Sequence, residues 1–148
     1  MRTRKEKWDV RFLELAKHIS SWSKDPSTQV GAVITNGNKI ISIGYNGLPS
    51  KIPDYSIDLY NRQEKYKYII HAETNAILTA STQVSNCTLY TYPFLPCTNC
   101  ASMIIQAGIN RVVSILCETD RWKNRIEESK NLFSIANIDV VEYSSVYI

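Results

Sequence analysis

The sequence predicts an α/β protein, a three-layer α/β/α sandwich around a mixed five-stranded sheet. Two observations carry this. Strand-like runs alternate with segments of helical period along most of the chain, which predicts parallel strands with helices on both faces. An opening pair of strand-like runs joined by a turn signal adds an antiparallel hairpin, so the sheet is mixed. The chain has 148 residues, 44% of them hydrophobic, which suits one domain over residues 1–148 with a sizeable core.

The elements follow in order. Trp8, Phe12, Leu15, Ala16, Ile19 and Trp22 recur at helical spacing and predict a first amphipathic helix. Ser23-Lys24-Asp25-Pro26 ends it, because proline disfavours helix at the residue before it. Residues 29–35 and 39–45 are β-rich, and Asn36-Gly37-Asn38 between them marks a hairpin turn. Residues 46–68 contain Pro49 and Pro53 with Tyr55, Tyr60, Tyr66 and Tyr68. They are expected to form a long irregular but ordered flap, since so long a loop in a compact protein is usually functional. Residues 71–80 predict a second helix and 87–92 a third strand. Residues 97–107 predict a third helix, with Gly108 in the position that closes it. Residues 111–116 read as a strand, 120–136 as a helix and 139–143 as the last strand.

Composition narrows the function. The net charge of +3 is too weak to indicate nucleic acid as a partner, though it suits a small anionic substrate. The N-terminus is basic, but no apolar stretch follows it, and there is no long apolar run. The expectation is a soluble protein without a signal peptide or membrane span. Of the four cysteines, Cys97 and Cys100 have metal-ligand spacing, while Cys87 and Cys117 lie in apolar stretches and read as buried free thiols. A reducing, cytoplasmic location is the simpler reading.

The chemistry is concentrated in two short motifs, His71-Ala72-Glu73 and Pro96-Cys97-Thr98-Asn99-Cys100. Together they match the H-x-E…P-C-x-x-C pattern of zinc-dependent nucleobase deaminases. His71, Cys97 and Cys100 are the expected zinc ligands, leaving the fourth tetrahedral position for water. A helix brings the sulfurs of C-x-x-C to one face. Helix starts at both motifs would favour thiolate, and Pro96 fits the start of a helix. Glu73 projects away from the ligand direction but can reach a water or base beside it. The expected reaction is hydrolytic. Zinc lowers the pKa of water to about 7, Glu73 carries protons to the ring nitrogen and then to the amino group, and ammonia leaves. A redox pair or half of a four-cysteine structural site is the bland alternative, but it gives Glu73 and Pro96 no role. His18 reads as a surface or satisfied core residue.

At these residues the chain resembles the cytidine deaminase superfamily and, within it, the deoxycytidylate (dCMP) deaminases. The likeness also runs through residues 24–34 (KDPSTQVGAVI), 43–49 (IGYNGLP), 71–77 (HAETNAI) and 104–109 (IIQAGI). The zinc motifs specify only the superfamily; the GYNGxP stretch and the long segment before His71 point to the dCMP branch. The resemblance implies a cytidine deaminase-like fold, and hydrolysis of dCMP to dUMP and ammonia, feeding dTMP synthesis. It implies that Asn46 contacts the sugar and that the backbone at Ala72 contacts the pyrimidine carbonyl. It also implies a homohexamer, with dCTP and dTTP as possible effectors. Lys51-Ile52 stand where many relatives have Gly-Cys, which leaves effector control open. With only Cys87, Cys117 and His18 as remaining soft ligands, one zinc per subunit is expected.

Other assignments rest on position alone. Lys24, Ser27 and Thr28 precede the first strand and are candidates to hold a phosphate, or they simply form a solvated turn. Tyr92 and Trp122 are candidates to pack near the base, with core or subunit packing as the alternative. Arg121, Lys123 and Arg125 read as a solvated face, with an interface or an acidic ligand as alternatives. A free nucleotide is favoured over a base within RNA or DNA, because a nucleic-acid deaminase needs an open groove with basic and stacking residues. The remaining alternatives are dCTP as substrate and a non-catalytic zinc module.

Overall fold

The computed structural model describes residues 1–148. Helix α1 spans Arg4–Ser20; the Thr3 hydroxyl caps it by accepting from the Glu6 N–H. Strands β1 (Gly31–Asn36) and β2 (Lys39–Tyr45) form the expected hairpin, turning at Gly37, whose φ is +61°. Helix α2 (Arg62–Tyr68) precedes α3 (Ala72–Thr79), and β3 (Thr88–Tyr92), α4 (Thr98–Gln106), β4 (Arg111–Ile115), α5 (Asp120–Ile135) and β5 (Asp139–Tyr143) follow. The sheet order is β2-β1-β3-β4-β5. The first two pairings are antiparallel and the last two parallel, so the sheet is mixed and five-stranded, as the sequence predicts.

Strand alternation divides the core between the two faces. On β1, Ala32 and Ile34 face one cluster and Val33 the other; on β3, Leu89 and Tyr90 divide in the same way. One cluster packs under α3, α4 and α5, through Ala72, Ala76, Ile104, Ile126 and Phe133. The other packs under α1, through Phe12, Leu13 and Ala16. Two glycines let helices lie against strands. A Cβ on Gly31 would strike the carbonyl of Ala16, and one on Gly44 would strike the carbonyl of Ala72.

Three expectations are corrected here. Residues 46–68 are not wholly irregular: they contain a 3₁₀ turn at Asp54–Ser56 and helix α2. Helix α2 has no apolar stripe to announce it. Its signal is a cap, the Asn61 side chain accepting from the Glu64 N–H at 3.2 Å. Trp22, placed on the apolar face of the first helix, lies beyond the end of α1, is 47% exposed and meets Tyr45 edge-on. Cys87 is buried, whereas Cys117 is only half-buried; all four cysteines are free.

Candidate active site

The site forms at the sheet end where β1 begins and β2 and β3 finish, since Gly31 pairs with both Tyr45 and Tyr92. The segment that follows β2 runs through α2 into α3, and the loop that follows β3 leads directly into α4. His71 is the N-cap residue of α3 and Cys97 that of α4, with Cys100 one turn further on. The His71 carbonyl accepts from Asn75 N–H at 2.9 Å and the Cys97 carbonyl from Ala101 N–H at 2.8 Å. Each ligand is thereby fixed to the first turn of its helix.

His71 Nδ1 lies 3.5 Å from Cys97 Sγ and 3.3 Å from Cys100 Sγ, and the three donor atoms all fall within 4.8 Å of one another. A tetrahedral zinc with usual bond lengths requires nitrogen–sulfur separations of about 3.6 Å, so this donor set fits zinc. The thiols make the same point chemically. The hydrogen bond from Cys100 holds the Cys97 thiol down, at about 3, while donation to Cys97 and burial push Cys100 far above the usual thiol range. One proton therefore stays with the pair unless a cation replaces it.

Glu73 is 4% exposed and lines the same cavity as His71 and Cys97. Burial pushes its carboxyl above the ordinary range, although the neighbouring His71 and the Cys100 thiol pull the other way. A buried carboxyl beside a metal-type donor set is suited to moving protons. Ala72 is fully buried and also lines the cavity. As the first residue of α3, it has an N–H with no partner inside the helix.

Phe94 and Trp122 stack with centroids 5.4 Å apart and planes 14° from parallel. Arg121 and Arg125 lie over the Trp122 ring at 4.8 and 5.7 Å. Phe94, Trp122 and Arg125 line the cavity. Phe94 had no distinguishing signal in the sequence, and Arg125 was one of a charged cluster.

The polar wall is a network centred on Asp25. Its Oδ1 accepts from Ser27 N–H at 2.9 Å, Ser27 Oγ at 3.0 Å, Thr28 N–H at 3.1 Å and Lys65 Nζ at 3.2 Å. Burial opposes ionisation of Asp25, but these bonds outweigh it and hold the carboxyl below its ordinary range. Asn46 Nδ2 donates to Thr28 O at 2.8 Å and to Asp25 Oδ2 at 3.4 Å, while its Oδ1 accepts from Val30 N–H at 2.9 Å. The Asn46 side chain is thus bonded into the loop before β1, with one lone pair of Oδ1 left over. Asp25 and Lys65 were not legible as site residues: one ends a helix pattern and the other lies in a segment expected to be a flap.

Of the residues singled out from the sequence, His71, Glu73, Cys97, Asn46, Ala72, Thr28 and Trp122 line this cavity. Cys100 is buried behind it and joins through His71. The structure does not bring Lys24, Ser27 or Tyr92 to its lining. Lys24 is exposed, pairs with Asp54 and lines an adjoining depression with Leu48, Pro49 and Ile52, which shares Asp25 and Asn46 with the cavity. Ser27 touches the site through Lys65, whose Nζ lies 2.7 Å from its Oγ. Tyr92 packs at the edge of the α1-side cluster with Lys17 over its ring.

Fold and donor set together define a metal-dependent hydrolytic deaminase. Residues 6–116 match the family described as the cytidine and deoxycytidylate deaminase zinc-binding region, and the chain belongs to that family. An uncharacterized deaminase of Aliivibrio fischeri is 46% identical over 137 residues, covering 90% of this chain and 92% of that one. The deoxycytidylate deaminase of Homo sapiens is 39% identical over 140 residues, covering 88% of this chain and 76% of the human protein. In fold, the chain is similar to the dCMP deaminase of cyanophage S-TIM5 in complex with dCMP and dUMP. The TM-score is 0.74 at 22% identity, over 97% of this chain and 100% of that one.

Proposed function

We propose that this chain hydrolyses dCMP to dUMP and ammonia, the product serving dTMP synthesis. The observation that carries this is the convergence of His71, Cys97 and Cys100 around one point beside the buried carboxyl of Glu73. The identity to human deoxycytidylate deaminase supports the choice of substrate. Zinc bound to those three residues supplies a water acidified to a pKa of about 7.

The chain's own residues do the rest. Glu73 accepts the proton of the attacking water and delivers it to the ring nitrogen beside the amino-bearing carbon. The water oxygen bonds to that carbon, and Glu73 then passes the remaining proton of this oxygen to the amino group; the carbon–nitrogen bond breaks, the carbonyl forms and ammonia leaves. The free N–H of Ala72 holds the pyrimidine carbonyl. The open lone pair of Asn46 accepts from a sugar hydroxyl. Trp122 and Phe94 cover the base and exclude water. Thr28 lies at the phosphate end, supported by Ser27. Lys24 and Tyr92 stand outside the cavity, which favours a peripheral role for both.

The residues 1–148 act as one domain binding one zinc per subunit. Four free cysteines favour a reducing, cytoplasmic setting. No helix of the structure is long and apolar enough to cross a membrane. By likeness to the dCMP branch, the assembly is a homohexamer, with dCTP and dTTP as possible effectors.

The test is a substrate panel. The purified protein is offered dCMP, dCTP, deoxycytidine and a single-stranded oligonucleotide, and loss of the amino group is followed with and without dCTP and dTTP. Turnover of dCMP well above the others is expected; turnover of the oligonucleotide alone would reject the reading.

A further inference from the structure

Thr74 directly follows Glu73 and has no part in the reaction above. It sits three residues after His71 at the start of α3, so the two side chains share one side of that helix. Thr79, later in the same helix, spends its hydroxyl on the Asn75 carbonyl four residues before it, at 2.8 Å. The corresponding carbonyl for Thr74 is that of Ile70, which lies outside the helix and accepts from Gly47 N–H at 3.0 Å. The Thr74 hydroxyl instead reaches across to α4. Its two partners there are both sulfurs, Cys100 Sγ at 3.6 Å and Met103 Sδ at 3.7 Å.

The chemistry of the site decides which atom donates. A sulfur that binds a cation is a thiolate, with no proton of its own to give. A buried charge needs hydrogen-bond donors. Cys97 is half-buried and lines the cavity, so water can serve it. Cys100 is 1% exposed and does not line the cavity. Of its polar neighbours, His71 is a fellow ligand and Glu73 carries the protons of the reaction. Thr74 is committed to neither task. A charged acceptor takes a hydroxyl proton in preference to a neutral thioether, so the bond goes to Cys100 rather than to Met103.

We propose that Thr74 is a positioning residue of the metal site: its hydroxyl donates to the Cys100 sulfur, holds it as thiolate and keeps it turned toward His71 and Cys97. Outer partners of this kind orient metal ligands and tune their basicity. The inference rests on the zinc reading of the donor set and not on the choice of substrate.

The test uses Thr74→Val, which keeps the branched shape and loses the hydroxyl, and Thr74→Ser, which keeps the hydroxyl. Zinc affinity is read by competition with a chromophoric chelator. It should fall by about ten- to a hundredfold in Thr74→Val and stay near the unaltered value in Thr74→Ser. The second readout is the sulfur-to-metal charge-transfer band of the Co²⁺-loaded protein. A hydrogen bond lowers the energy of the sulfur lone pairs, so its loss should move the band to longer wavelength in Thr74→Val but not in Thr74→Ser. Thr74→Ala also lacks the hydroxyl and suits a helix better; it should repeat the shift if Thr74→Val folds poorly. A band that stays in place without the hydroxyl overturns the inference. So do equal affinity losses in Thr74→Val and Thr74→Ser, which would assign the effect to packing. Failure of the zinc reading is distinguishable, because the unaltered protein would then show no such band.

Discussion

Gly47 and Ile70 exchange both of their backbone hydrogen bonds, at 3.0 and 2.8 Å. This single antiparallel bridge ties the two ends of residues 48–69 together. It places His71 next to the strand end that carries Asn46, so a metal ligand and a residue of the polar wall hold a fixed relation. Ile70→Pro would remove one of the two donors, and Ile69 already has the extended backbone that a following proline requires. The expected outcome is a loss of about 1 kcal/mol in stability, with faster proteolytic cutting within residues 48–69, read by limited proteolysis and mass spectrometry.

Glu73→Gln keeps the shape of the side chain and removes its ability to cycle a proton. Metal content should be unchanged by elemental analysis, and kcat should fall by at least about 10²- to 10⁴-fold. Loss of the metal along with activity would instead mean that Glu73 helps to hold the site together.

Removing the metal has a structural signature as well as a kinetic one. The ligands sit at the starts of helices that are packed on a complete core, so chelation should abolish activity while far-UV circular dichroism stays near its starting value. Cys97 is half-buried and Cys87 is buried. A thiol reagent should therefore label Cys97 only after chelation and spare Cys87 in both states, as read by peptide mass spectrometry.

Gly44 lies against the start of α3, where a Cβ would meet the Ala72 carbonyl and come within 2.5 Å of Ala76 N. Gly44→Ala forces this helix outward, at a cost of about 1–3 kcal/mol. Because His71 caps the same helix, zinc affinity should fall together with Tm, which titration with a competing chelator will detect.

The pH dependence of stability should carry a term from Asp9. Burial raises its carboxyl pKa, but hydrogen bonds from Arg111, Tyr143 and Tyr90 outweigh burial and hold the group below its ordinary range. The bonds to Arg111 measure 2.8 and 2.6 Å and those to the two tyrosines 2.7 Å, tying α1 to β3, β4 and β5. A lowered folded pKa means that the stabilisation is full above the unfolded value of about 3.9 and is lost as pH falls through the lower folded value. Asp9→Asn should therefore destabilise at neutral pH and flatten the loss of stability below about pH 4. Urea melts across that range check this; an unchanged acid limb would count against Asp9.

Much of this protein can be read along the chain. The hairpin at Gly37, the strand alternation that splits Val33 from Ile34 and the Gly108 helix stop are local effects, set by backbone sterics and period. The donor set was equally legible, because His71, Cys97 and Cys100 lie in two compact motifs whose residue types imply a metal. Helix α2 was not, since its seven residues carry no apolar stripe and only the Asn61 cap marks its start.

The tertiary structure alone decided which side chains share the cavity. Lys24 and Lys65 are both lysines flanked by polar residues, and nothing local separates them. Packing turns one outward to Asp54 and buries the other against Asp25. Tyr92 and Phe94 lie two positions apart, yet one packs toward α1 and the other stacks on Trp122. Sequence spacing fixes the identity of the chemistry because ligand type is a property of single residues. The surroundings of that chemistry depend on contacts between distant segments, which only the folded chain brings together.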